Sequence, residues 1–265
     1  AITRPANTAV QLVTAGDITL SGGGINTAGG NLLLDCGTSP KAVRPTFNGT
    51  DATVGTLSFG SDLSIVINGT TLGNGSGSTY TQLKVVGSVN LTGVALQLSG
   101  SHVPVIGQVF TIVDNDGTDV ITGVFTGLPQ NSLIANFLGS SQLAVISYTG
   151  GTGNDVTLTV VSPPDYSITT AGNVLTITDN KNNGDVLDIT EDGAGMIKFN
   201  VTNATRTYDF NGVTFSNLPY THSLAGITSI VVNTQGGSDA INVGAFANTT
   251  LPSLTLNGGT DDDAV

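Results

Sequence analysis

The groups in this chain best suited to chemistry are aspartates set in glycine-rich turns. Gly150-Gly151-Thr152-Gly153-Asn154-Asp155 has the spacing of the front of a Gly-Gly-x-Gly-x-Asp calcium repeat. In such repeats turn carboxylates and carbonyls supply the oxygen ligands that a hard cation takes. Thr157 stands where that repeat wants a large apolar residue, and no second copy follows directly, so the competing reading is a tight turn entering a strand Val156–Val160. Asp114-Asn115-Asp116-Gly117-Thr118-Asp119 gathers further carboxylates. An EF-hand loop would need an acid where Ile112 stands, so that motif fails. Asp-Gly between the apolar runs Phe110–Val113 and Val120–Phe125 predicts a hairpin turn instead. Near the end, Gly236-Gly237-Ser238-Asp239 and Gly258-Gly259-Thr260-Asp261-Asp262-Asp263 repeat the theme. The candidate Ca²⁺ ligands are therefore Asp114, Asp116, Asp119, Asp155, Asp239, Asp261 and Asp263. Turn formation and hydration account for the same residues without an ion.

The inventory for catalysis is poor. His102 and His222 are the only histidines, and G-x-S-x-G, H-E-x-x-H and C-x-x-C are all absent. A parallel β-helix polysaccharide lyase or hydrolase is the enzyme alternative. It would need a basic group to take a proton and offset a uronate, yet Arg4, Lys41, Arg44, Lys84, Lys181, Lys198 and Arg206 form no cluster. Glycan binding usually uses aromatic platforms; there is no Trp, and the tyrosines are scattered. The reading is that the chain is not an enzyme. Cys36 is the single cysteine, which excludes an intrachain disulfide and, inside Leu32-Leu33-Leu34-Asp35-Cys36, predicts a small buried side chain.

Charge narrows the partners. With 19 acidic residues against 7 Lys and Arg, the formal charge is −12. Such a surface repels nucleic acid phosphates and anionic membranes. No apolar run is long enough to span a bilayer, so membrane insertion is not expected. Only 10% of the residues are charged while Gly reaches 36, so hydration comes from Asn, Thr and Ser. That composition suits an exposed, frequently turning β structure rather than a cytoplasmic enzyme.

The elements that must hold these turns are strands. Helical spacing of apolar residues is missing, and period-two alternation replaces it. Examples are Leu63/Ile65/Ile67, Phe110/Ile112, Leu143/Val145 and Val156/Leu158/Val160. After Ser162-Pro163-Pro164-Asp165, Leu175/Ile177, Leu187/Ile189, Ile197/Phe199/Val201, Tyr208/Phe210, Ile230/Val232, Ile241/Val243 and Leu254/Leu256 continue the pattern. Consecutive prolines cannot donate to a ladder, so the expected division is 1–161 and 166–265. Gly73–Ser78 reads as a surface loop. The fold class is all-β. A parallel β-solenoid (β-helix) is favoured over β-sandwich modules by one internal repeat, whose Gly-Gly pairs at Gly237 and Gly259 lie 22 positions apart. The last repeat stops where another strand should begin, which predicts a coil cut short.

A resemblance points the same way. Thr81–Leu91, Val109–Gly117, Phe125–Pro129 and Ile146–Leu158 follow one another in an order that resembles the end of autotransporter-associated β-strand repeat regions. Asn233 with Gly-Gly-Ser-Asp, and Asn257 with Gly-Gly-Thr-Asp, resemble Gly/Asp-rich β-solenoid repeats of large, planctomycete-like bacterial surface proteins. The resemblance implies export, a solenoid stem and a structural or adhesive role, and it transfers no catalytic residue. The expected partners are the chain itself through its strand edges, the rest of a larger surface protein, or host and environmental glycans. A calcium-stabilised binding module is the second expectation.

Overall fold

The structure, a computed structural model, describes residues 6–20, 24–45, 50–72 and 79–265. Arg4 and the loop Gly73–Ser78 lie outside the described residues. The fold is all-β. Among the described residues one three-residue 3-10 turn, Phe137–Gly139, is the only helical piece. Among the described residues the strands form four sheets, three mixed in direction and one all parallel, none closed on itself. The chain divides into two units, 1–162 and 163–265, each with its own apolar core.

Unit 1 begins with β1 (Val10–Val13), β2 (Ile18–Leu20), β3 (Ile25–Asn26), β4 (Leu32–Asp35) and β5 (Ala42–Pro45). It continues through β6 (Ala52–Phe59), β7 (Asp62–Val66), β8 (Leu83–Asn90) and β9 (Leu96–Ser99). Strands β1, β4, β6 and β8 pair in parallel, and so do β2, β5, β7 and β9 in a second sheet. Each pass of the chain thus lays one rung on both sheets. The register stacks like on like: Val10, Leu32, Leu57 and Val89 form one apolar column, 22, 25 and 32 residues apart. Alternation puts these side chains inside, and stacking removes them from water on both flanks.

The rest of unit 1 is β10 (Val109–Asn115), β11 (Ile121–Thr122), β12 (Leu133–Ile134), β13 (Leu143–Gly150) and β14 (Asp155–Val161). Here the direction changes: β10 lies parallel to β8, but β14, β13 and β12 follow antiparallel. Two expectations fail in this region. The hairpin across Asp116-Gly117 does not form, because β10 and β11 both pair in parallel with β8 and not with each other. The long β8 offers two free stretches either side of Gly87, whose φ of +116° breaks its regular run, and that pairing outweighs local turn preference. Strand β13 also buries the face opposite to the one expected: Ala144, Ile146 and Tyr148 point inward, while Leu143 and Val145 are half-exposed. Both faces of β13 carry apolar residues, so alternation alone could not choose between them.

Unit 2 contains β15 (Tyr166–Ala171), β16 (Val174–Asp179), β17 (Val186–Glu191), β18 (Met196–Val201) and β19 (Thr207–Phe210). It ends with β20 (Thr214–Asn217), β21 (Tyr220–Ser223), β22 (Ser229–Asn233), β23 (Ala240–Val243) and β24 (Ser253–Asn257). Strands β16, β22 and β24 stack in parallel in one sheet, and β17 and β23 in the other, with Ala264 bridging to Ala240. Three rungs of strand, turn and strand result. Further strands are added around them: β15 antiparallel to β16, β18 antiparallel to β17, β21 antiparallel to β18, and the hairpin β19–β20, whose β19 runs parallel to β15. The repeat spacing differs from the one read off the glycines. Ser229 pairs with Ser253 and Asn233 with Asn257, so the period is 24, and Gly236 lies beside Thr260. Strand register and core columns set the period, and the turn adapts to it.

Candidate functional site

The turns that carry the chain from one sheet of unit 2 to the other hold its densest array of acids. Equivalent positions of the three rungs are Asp185, Asp239 and Asp263. Each turn ends on an aspartate because a carboxylate can accept the amide of the rung before it. The Asp185 amide donates to Asp239 Oδ1 at 2.8 Å, and the Asp239 amide donates to Asp263 Oδ1 at 3.1 Å. One position aside, the Gly237 amide donates to Asp261 Oδ2 at 3.1 Å. A second ladder runs at the strand ends: Asn257 Nδ2 donates to Asn233 Oδ1, and Asn233 Nδ2 to Thr178 Oγ1. These side chains do what backbone pairing does elsewhere, tying rung to rung where the chain turns.

The three acids differ in how their charge is met. Asp185 is buried and takes the Arg206 guanidinium through Nε and Nη2, with Tyr166 Oη donating at 2.8 Å. Asp239 is only 3% exposed; among the described residues no cation pairs with it, and its Oδ2 accepts no hydrogen bond. The nearby Thr234 hydroxyl donates to the Gly258 carbonyl at 2.9 Å and, with the Asp185 amide, favours the charged form of Asp239. Burial pushes the Asp239 carboxyl above its usual range, with the neighbouring charges of Asp263 and Asp185 adding to the effect. Asp179, also buried, is raised chiefly by desolvation, against the Lys181 and Asn183 amides that it accepts. Asp263 and Asp261 are exposed.

The acids of unit 1 are dispersed. Asp155 is buried and accepts the Asn115 amide at 2.8 Å and the Thr152 amide at 3.3 Å, closing the Gly150–Asp155 turn of the β13–β14 hairpin. A Cβ on Gly151 would lie 1.7 Å from Asp155 Oδ2, which explains glycine there. Asp114 pairs with Lys84 at 3.0 Å, and Asp116 accepts the Gly87 amide at 3.1 Å. Asp119 contributes its carbonyl, to Asn115 and Asn154. Among the described residues no group of three His, Cys, Asp or Glu side chains is arranged around one ion.

Several of the basic groups and both histidines are engaged with neighbouring side chains. Arg44 pairs with Asp17 at 2.7 Å, and Arg206 and Lys84 with the acids above. His102 shares a hydrogen bond with Gln108, and His222 Nδ1 with Tyr220 Oη at 2.7 Å. Burial lowers the His222 pKa and so favours its neutral form. Tyr208, Phe210, Tyr220 and His222 form one half-open aromatic cluster. Cys36 is fully buried.

Sequence reasoning passed over Asp185 and Asp179, and it read Arg206 only as one of the scattered basic residues. Asn182-Asn183-Gly184-Asp185 is the turn of a third rung, with asparagines where the middle rung carries Gly236 and Gly237, and a search keyed on Gly-Gly misses it. Asn182 stands at φ +55°, a region that asparagine enters more readily than other non-glycine residues. Arg206 lies 21 residues beyond its partner, in the segment between β18 and β19, and only the fold joins them. No family model matches the chain, and neither a curated protein nor a solved structure does.

Proposed function

We propose that this chain is a structural or adhesive module of a secreted bacterial surface protein, built as a short parallel β-solenoid interrupted by antiparallel hairpins. The observation that carries the reading is the repeated rung in unit 2. Equivalent residues stack in register on both sheets and are joined by the same aspartate and asparagine bonds from one rung to the next. This is chemistry that transmits stability along a stack. The bases Arg44, Lys84 and Arg206 are each occupied by a carboxylate, which supports a non-enzymatic role. Unit 1 repeats the scheme with apolar columns. Association through free strand edges is the mode of assembly expected of such a module.

Sedimentation velocity over a range of protein concentrations, alongside turnover assays on acidic and neutral polysaccharides, tests this. Reversible association without turnover is the expected result. Depolymerisation of any of these polysaccharides would overturn the reading.

One observation favours a second reading, a calcium-stabilised module: the buried, unbonded Oδ2 of Asp239 in a stack of acids. Thermal unfolding with Ca²⁺ and with chelator decides it. Binding to the folded state raises the midpoint, and superimposable curves dismiss calcium.

A further inference from the structure

The outer face of the antiparallel part of unit 1 is apolar, and the register fixes which side chains share it. Phe110, Leu158 and Ile146 lie opposite one another and are buried. Their neighbours Val109, Thr159 and Val145 therefore form a row on the outer face, which Leu133 of β12 continues. Leu143 and Val161 pair in the row beside it. The segment entering β10 extends the face. The Gly107 amide donates to the Val160 carbonyl and the Val160 amide to the Gln108 carbonyl, which seats the turn 105–108 at the end of β14. Val105, Ile106 and Val109 are 60%, 57% and 56% exposed. An antiparallel sheet with one solvated face alternates apolar and polar residues. Leu143-Ala144-Val145-Ile146 of β13 does not, although the core takes only Ala144 and Ile146. Charge avoids the same region. Between Lys84 and Asp165 the only charged residues are Asp114, Asp116, Asp119 and Asp155. They gather at the opposite end of β10 and β14, where Asp155 accepts the Asn115 amide and Asn154 holds the Asp116 and Asp119 carbonyls. The other three sheets carry charged residues on their strands: Arg44 in β5, Asp188 in β17 with Lys198 in β18, and Asp209 in β19.

We infer that this face is a contact between two copies of this chain, packed outer face to outer face about a two-fold axis. A chain of formal charge −12 repels its own copies wherever acids meet. This face brings no acids together. A two-fold contact sets one patch against itself, so the patch has to be its own complement. A neutral apolar sheet face meets that condition, and two such faces stack as the sheets of a β-sandwich do. A basic partner would be drawn to the acid-rich turns instead. The contact runs through a sheet face, so it does not depend on association through strand edges.

Sedimentation velocity of the full chain at concentrations up to about 1 mM reads the contact, and a reversible dimer is expected. The dimer should tighten as salt rises from about 0.01 M to about 0.15 M, because the screening length falls from about 30 Å to about 8 Å while the attraction is apolar. Ile106→Asp and Val109→Asp change positions that are more than half exposed, and each should weaken the dimer at least about tenfold. Val109→Thr keeps the shape of the side chain and should weaken it less; it serves if circular dichroism shows that the acids disturb folding. Val13→Asp is the control. Val13 is 68% exposed on β1, at the other side of the ten-stranded sheet, and its exchange should leave the dimer unchanged. A chain that stays monomeric throughout overturns the proposal. A dimer that survives the Ile106 and Val109 exchanges, or that Val13→Asp weakens as much, assigns association to another surface and also overturns it. Flotation with phosphatidylcholine vesicles completes the test: a monomer that binds them and loses binding with Ile106→Asp assigns the face to lipid, against the proposal. None of these outcomes removes the structural role, which is overturned by polysaccharide turnover.

Discussion

Two residues show how the turns and rungs are tuned. Gln235 is exposed and stands at φ +69° in a three-residue turn closed by the Gly236 amide on the Thr234 carbonyl. A side chain in the left-handed region is strained, and glycine is not. Gln235→Gly should therefore raise the stability of unit 2 by about 0.5–1 kcal/mol, measured by urea unfolding; a loss would mean that the glutamine side chain has a role of its own. Asp51 precedes β6, is 2% exposed and accepts the Lys84 amide at 2.9 Å. Desolvation raises its pKa to about 7. Its folded pKa thus exceeds the usual unfolded value of about 4, so the folded state binds the extra proton. The associated stability is complete below pH ~4 and is lost as pH rises through 7. Asp179 and Asp239 are raised in the same direction. Asp51→Asn keeps the acceptor and removes the charge. It should gain about 2–3 kcal/mol at pH 8 and flatten the decline between pH 4 and 7. Parallel pH–stability curves for the two proteins would rule this out.

At the scale of elements, the antiparallel additions to unit 2 finish the stack of parallel rungs. The segment between β18 and β19 brings Arg206 against Asp185, which is otherwise a buried carboxylate one rung from Asp239. Removing the guanidinium leaves that charge without its cation, at a cost of about 3 kcal/mol. Arg206→Ala should lower stability by that amount. Arg206→Lys should recover only part of it, since Asp185 takes two guanidinium nitrogens. Chemical denaturation of both variants checks the ordering, and equal stability of Ala and wild type would remove Arg206 from the account. Strand existence was legible from alternation, as Leu63, Ile65 and Ile67 illustrate by being fully buried. Strand pairing was not. Phe110 and Ile112 are buried as expected, yet the Asp-Gly turn after them leads along β8 and makes no hairpin. Turn residues allow a reversal of the chain, but the partner available for the backbone decides whether the reversal makes a ladder.

For the molecule as a whole, the two cores are separate sets of residues, one within 1–162 and one within 163–265. A fragment covering 163–265 should therefore fold alone and unfold in one cooperative transition, observed by circular dichroism and calorimetry. A fragment without a transition would show that its core depends on unit 1. By itself the sequence determined the all-β character, the inward faces of most strands and the acid-rich turns, because these follow from a period of two and from residues that tolerate sharp bends. It did not determine the 24-residue period, since the Gly-Gly pairs sit at different places in the turns of the two rungs. Nor did it reveal that Asp185, Asp239 and Asp263 share one column, 54 and 24 residues apart. Motif spacing and local acid density mark the candidate ion ligands in the sequence, yet most of their carboxylates meet backbone amides from distant segments. Those assignments belong to the tertiary structure: stacking in register aligns residues by their place in the rung, and the varying length of chain between rungs hides that place from any reading along the sequence.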